Sequence, residues 1–163
     1  MRIIFLSDIW TILICIPLWL IFHTLPAYIC LRIPDSYFNP HGFIFKTRKW
    51  EKKGEIYQRL FKVRKWKKYL PDGGAMFKDG YSKRNLTVFT SQTLNKFAIE
   101  TCRAEMTHLL AILPFWIFGF IAPPIIILYM LIYALAINLP CIITQRYNRP
   151  RIIAFKDKID NAS

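Results

Sequence analysis

Glu105 and His108 stand three residues apart on a stripe, Leu94, Phe97, Ala98, Thr101, Glu105, His108 and Ile112, that is otherwise mostly apolar. On a helix, positions i and i+3 share a face, so this spacing brings a carboxylate and an imidazole together. An imidazole oriented by a carboxylate is suited to take the proton from an attacking hydroxyl. The same pair also fits two groups that merely satisfy each other, or a His108 that reaches up to lipid headgroups. A metal site is not expected: Glu-x-x-His serves di-iron bundles only when it occurs twice with further glutamates, and here it occurs once, with His23 and His41 in other contexts.

Known soluble-enzyme patterns are missing. Five residues after His41 stands Lys46, and five after His108 stands Leu113, so there is no H-x-x-x-x-D acyltransferase motif. There is no G-x-S-x-G elbow and no P-loop, and no cofactor is expected. Cys15, Cys30, Cys102 and Cys141 form no C-x-x-C pair, which indicates neither a disulfide framework nor a zinc site. Cys102, beside the basic segment, is the cysteine to weigh as a nucleophile or palmitoylation site, but no activating pattern flanks it. The other polar concentrations are Arg32-Ile33-Pro34-Asp35, Arg64-Lys65-Trp66-Lys67, and Gln145-Arg146-Tyr147-Asn148-Arg149-Pro150-Arg151. Arginine grips phosphate or carboxylate with two parallel hydrogen bonds, so three Arg-bearing edges could converge on an anionic headgroup. Basic residues also collect wherever a helix leaves the cytoplasmic leaflet.

The elements that must position these groups follow from where charge is excluded. Residues 9–31 and 109–145 carry no Asp, Glu, Lys or Arg, while 17 of the 23 basic and 7 of the 10 acidic residues fall in 32–108. A hydrocarbon core needs about 20 apolar residues, so the pattern predicts an all-α membrane protein, a single membrane domain over 1–163. The 9–31 run is longer than a signal-peptide core and lacks an A-x-A-like site, and it predicts an uncleaved first transmembrane helix, bent at Pro17 and Pro26. Pro123 and Pro124 split 109–145 into Leu109–Ala122 and Ile125–Gln145, a helical hairpin with a short first arm. Basic flanks on both sides favour three crossings, with 32–108 and a 146–163 tail both cytoplasmic; a kinked single pass in place of the hairpin is the alternative. The chain is thus expected in the cell membrane as a multi-pass protein.

Trp50 to Leu70, with Ile56, Tyr57, Leu60, Phe61, Val63, Trp66 and Leu70 interleaved with Lys and Arg, predicts an interfacial amphipathic helix. Pro71-Asp72-Gly73-Gly74 ends it with turn chemistry. A second amphipathic helix starts near Thr93, with Thr90, Ser91 and Thr93 as cap candidates, and runs on into the short membrane arm. The sequon Asn85-Leu86-Thr87 would be inert in the cytoplasm. Nucleic acid is the rival partner for basic residues with aromatics, but a segment lying between membrane spans meets lipid headgroups first, so no nucleic-acid partner is expected.

At these motifs the chain resembles a known family. Arg32-Ile33-Pro34-Asp35 followed by Tyr37-Phe38 looks like its N-terminal signature. Val63-Arg64-Lys65-Trp66-Lys67, then Leu70 and Asp72-Gly73, matches its central block. Arg103-Ala104-Glu105 with His108 and Ile112-Leu113-Pro114 is similar to its third block, and Gln145 to Arg151 looks like its C-terminal signature. The family is the glycosyl-4,4′-diaponeurosporenoate acyltransferases, small bacterial membrane proteins. The resemblance implies the last step of staphyloxanthin-type carotenoid synthesis: esterification of a glucose hydroxyl, at the sugar's C6 position, with a fatty acyl chain.

On that footing the expected partners are membrane lipids, a glycosylated lipid acceptor and a fatty acyl donor, with other pathway enzymes or a second copy as candidates. His108, oriented by Glu105, is expected to deprotonate the sugar hydroxyl, and Thr101 to hydrogen-bond Glu105. Arg146, Arg149 and Arg64 are expected at the donor's phosphates or the developing oxyanion. Asn148, Arg151, Arg32, Asp35 and Trp66 complete the candidate binding set. An acyltransferase for another bacterial glycolipid, or a non-catalytic scaffold that binds anionic lipid, are the alternatives.

Overall fold

The computed structural model describes residues 2–70 and 89–162, and among these it is helical without strands. The expected turn at Pro71–Gly74 and the sequon at Asn85 lie outside the described residues. Helix α1 (Asp8–Arg32) contains Pro17 and Pro26 and stops where Ile33, held extended (φ −76°, ψ 129°), precedes Pro34. The ring of a proline pushes the preceding residue out of helical geometry, which accounts for the stop. At 1.5 Å per residue α1 is about 37 Å long, enough for a bilayer core of about 30 Å. It is apolar around its whole circumference, yet Ile9, Ile12, Ile16 and Leu20 all lie exposed, as a helix whose solvent is lipid would be.

Helix α4 (Ser91–Ile112) starts from Thr90, whose hydroxyl accepts from the Thr93 N–H at 3.2 Å. It passes into a 3₁₀ stretch, Leu113–Phe120, and the chain reverses at Ile121–Pro123. Pro124 opens α5 (Pro124–Asp160) at the position where a missing N–H costs nothing. The break at the Pro-Pro pair is as expected. The 146–163 stretch continues the same helix: α5 runs unbroken to Asp160 through Pro140 and Pro150. Gln145 to Arg151 therefore spans about two turns of α5. At about 55 Å, α5 exceeds any bilayer core, so its apolar first half and charged second half meet different surroundings. Of the described helices, α1 and α5 are long and apolar enough to cross a membrane.

The single interfacial helix expected over Trp50–Leu70 is also corrected. The segment is a 3₁₀ turn (Lys49–Gly54), then α2 (Glu55–Phe61), α3 (Val63–Trp66) and a further 3₁₀ turn (Lys67–Tyr69). Lys52, Lys53, Gly54 and Lys62 adopt left-handed backbone, which costs a non-glycine residue about 1 kcal/mol or more. Packing explains the breaks. A Cβ on Gly54 would lie 3.0 Å from the Tyr147 carbonyl and 3.3 Å from Pro150 Cγ, so the bend seats the segment directly on the polar half of α5. Lys62 in turn sends its N–H to the Gln58 carbonyl, and the Gln58 side chain accepts from the Arg64 N–H at 3.0 Å.

Three helices pack side by side. Cys15 of α1, Phe118, Ile121 and Ala122 form one core with Trp19 and Phe22, and Ile3 and Ile4 both donate to the Phe120 carbonyl at 2.9 Å. At the other end Cys30, Phe38, Phe45 and Cys102 form a second. The stretch from Cys102 to Phe120 therefore lies antiparallel along α1.

Candidate active site

The groups singled out above fall into layers along the α1–α4–α5 bundle. The outermost layer is built on Glu105, which is 1% exposed. Its Oε1 accepts from Arg146 Nε at 2.6 Å and its Oε2 from Arg149 Nη2 at 2.5 Å. Arg149, equally buried, also donates Nε to Thr101 Oγ1 at 2.9 Å and Nη1 to the Phe45 carbonyl at 2.7 Å. Arg146 donates to the Ile44 carbonyl at 2.9 Å and reaches Glu51 at 3.4 Å. Glu51 is itself fully buried, taking the Arg48 N–H and the Tyr57 hydroxyl, the latter at 2.5 Å. Burial and the Glu51 carboxylate together push the Tyr57 phenol well above its ordinary pKa, so it stays a donor.

This arrangement revises two expectations. Glu105 belongs to the two guanidiniums of α5, and Thr101 bonds not to Glu105 but to the Ala98 carbonyl (2.6 Å) and Arg149. Buried charge must be paired and hydrogen-bonded to persist, and the two guanidiniums supply that pairing for the Glu105 carboxylate. Cys102, next in sequence to Thr101, is wholly buried.

A second charged node caps α1. Arg103 donates to the Cys30 and Ile33 carbonyls, the latter at 2.7 Å, and pairs with Asp35 and Glu100. Those carbonyls are the acceptors a helix end leaves unsatisfied. Lys96 bonds Asp35 at 2.6 Å, and with Arg103 it holds that carboxyl below the usual range. Arg32 lies with its guanidinium over the Tyr28 ring.

One layer further in is the imidazole. His108 Nδ1 meets Asn138 Oδ1 at 2.8 Å, and Asn138 Nδ2 donates to the Ala134 carbonyl at 2.9 Å and faces His23 Nε2 at 3.5 Å. His23 Nδ1 in turn meets the Trp19 carbonyl at 2.9 Å. Because the Asn138 amide nitrogen donates to the Ala134 carbonyl, its oxygen faces His108 Nδ1 and can accept from it. Asn138 is fully buried and lies about 16 Å before Arg149 along α5. An amide on a neighbouring helix thus holds His108 Nδ1.

The remaining candidates gather on another side of α5. Arg64 Nε donates to the Tyr147 hydroxyl at 2.8 Å, Lys67 Nζ to Asn148 Oδ1 at 3.0 Å, and Arg151 lies 3.7 Å over the Tyr147 ring. Trp66 donates to the Phe61 carbonyl at 2.7 Å.

Residues not named as candidates turn out to matter: Glu51, Tyr57, Arg103, Asn138, His23, Lys67 and Tyr147. Two were detectable. Asn138 is an isolated amide in an apolar run and His23 the one titratable side chain between Ile9 and Leu31 apart from Cys15, Tyr28 and Cys30; such groups in a membrane helix need a polar partner. Glu51 was hidden among lysines.

The profile of the glycosyl-4,4′-diaponeurosporenoate acyltransferases matches residues 40–158. The chain belongs to this family. Proteins of that name from Staphylococcus aureus strains bovine RF122 / ET3-1 and USA300 are each 40% identical to it over 143 residues, covering 87% of this chain and 86% of theirs. No solved structure gives a significant match. The sequence blocks that carried the resemblance touch one another in the fold: Arg103 meets Asp35, Glu105 meets Arg146 and Arg149, and Arg64 and Lys67 meet Tyr147 and Asn148.

Proposed function

We propose that the chain transfers a fatty acyl group onto a sugar hydroxyl of a glycosylated membrane lipid, with His108 as general base. The family supports the reaction class, and the acceptor named for the S. aureus relatives, a glycosyl carotenoid, is the reference substrate. The observation that carries the site is the hydrogen bond from His108 Nδ1 to Asn138. It fixes the imidazole ring against α5, as a base must be held in place. His108 Nε2 takes the proton of the sugar hydroxyl while that oxygen bonds to the acyl carbonyl carbon. The bond to the donor's leaving group then breaks, and the imidazolium returns the proton to it. Of the outer-layer arginines, Arg146 is the one whose side chain reaches the surface (18% exposed), so it, rather than Arg149, is placed to meet developing negative charge or a donor's anionic head.

The reading includes three crossings. Support comes from the stretch Cys102–Phe120, which pairs with the Cys30 end of α1 at one extreme and with the residues preceding α1 at the other, and so covers the same depth. The Glu105 and Arg103 layers and the basic 32–70 segment then lie on the cytoplasmic side. The test is lipid mass spectrometry of cells expressing the wild-type chain or His108→Ala. A glycolipid heavier by one fatty acyl group is expected only with the wild type. The same species at equal abundance with His108→Ala overturns the assignment.

A further inference from the structure

Each guanidinium in the Glu105 layer pairs with a carboxylate; among the described residues the cations around Tyr147 do not. Among the described residues no acidic side chain pairs with Arg64, Lys67 or Arg151, yet all three converge on one phenol: Arg64 on its hydroxyl, Lys67 5.0 Å and Arg151 3.7 Å from its ring. Burial, and after it the charges of Arg151 and Arg64, hold the Lys67 ammonium below its usual pKa. Uncompensated cations held this close are an anion site. Tyr147 lies nine residues beyond Asn138, about two and a half turns of α5, so this face is turned away from His108 and the α4 contact.

Directly below the cations, on the same face, a groove of about 520 Å³ runs along the apolar half of α5. Phe61 and Trp66 form one wall, and Ile132, Leu139, Pro140 and Ile143 the other. Ile143 is one turn before Tyr147 and Trp66 two residues after Arg64, so the apolar slot opens onto the charged cluster without a break. The geometry points to a second lipid site: one anionic phospholipid, an acyl chain in the groove and its phosphate on Arg64, Lys67 and Arg151. A phospholipid fits better than an acyl thioester on a phosphopantetheine arm, because here charge and apolar slot adjoin, whereas the arm separates phosphate from acyl chain. The inference rests on α5 crossing the bilayer and not on the identity of the catalytic base.

The experiment is native mass spectrometry of the purified full chain in detergent, titrated with phosphatidylglycerol, phosphatidylcholine or palmitoyl-CoA. One phosphatidylglycerol should be retained at about tenfold lower concentration than phosphatidylcholine. The combined variant Arg64→Gln, Lys67→Gln, Arg151→Gln should lose about tenfold or more in affinity. Leu139→Trp, which fills the slot and leaves the charges intact, should weaken retention as well, and the single change at exposed Arg64 serves if the triple variant does not fold. Equal retention by wild type and these variants, no preference for phosphatidylglycerol over phosphatidylcholine, or displacement of phosphatidylglycerol by stoichiometric palmitoyl-CoA would each overturn the proposal.

Discussion

Glu105→Gln separates bracing from catalysis. In the native protein the Glu105 carboxylate neutralises Arg149, which is 1% exposed and has no other carboxylate within ion-pair distance among the described residues. Arg146 can fall back on Glu51; Arg149 cannot. Breaking a buried pair by removing one partner costs about 3–5 kcal/mol, which for a chain of this size corresponds to a fall on the order of 10 °C in Tm. The double variant Glu105→Leu, Arg149→Met removes the stranded charge and should recover much of the loss, since buried pairs are often replaceable by apolar groups of similar volume. The assay is thermal unfolding of purified protein in detergent, with acyl transfer measured below the transition. An unchanged Tm for Glu105→Gln together with abolished activity would refute the bracing argument and return Glu105 to the chemistry.

Three further outcomes follow from the geometry. Asn138→Ala should slow acyl transfer by about 10- to 100-fold in kcat, since it releases the imidazole from its orientation; steady-state kinetics checks this. Gly54→Ala should lower stability by about 1–2 kcal/mol, because a Cβ at left-handed φ (+86°) meets the Tyr147 carbonyl at 3.0 Å, and denaturant or thermal unfolding reads it. Asp35 has its folded pKa depressed by Lys96 and Arg103, so its stabilisation is present above the ordinary carboxylate value near 4 and fades as pH falls through the lower folded value. Asp35→Asn should accordingly flatten the dependence of Tm on pH below about pH 4 and leave its slope between pH 6 and 8 unchanged.

Charge exclusion alone located α1 and the apolar half of α5, because a long uncharged run can be buried as a continuous helix, and the Pro-Pro pair marked the reversal before α5. The Thr90 cap was equally local. What was not local was not legible. Left-handed lysines at 52, 53 and 62 carry no glycine signal, so an apolar spacing near 3 and 4 over Trp50–Leu70 read as one helix, although contact with Tyr147 and Pro150 bends it. α5 continues past Pro150, where it packs against the Gly54 turn. At the site, spacing placed Glu105 and His108 on one face correctly. It could not reveal that two arginines from α5 take the carboxylate, or that Asn138 takes the imidazole, since both choices depend on helix packing.

The most direct measurement is the acyl-transfer rate of His108→Gln in proteoliposomes with a glycosylated carotenoid acceptor, alongside a check that its Tm is close to the wild-type value. A base that takes the hydroxyl proton contributes about 10²–10⁴-fold, so a loss of that size at preserved Tm is predicted. A folded His108→Gln protein working within twofold of wild type, by order of magnitude unaffected, would contradict the assignment of His108 as the catalytic base.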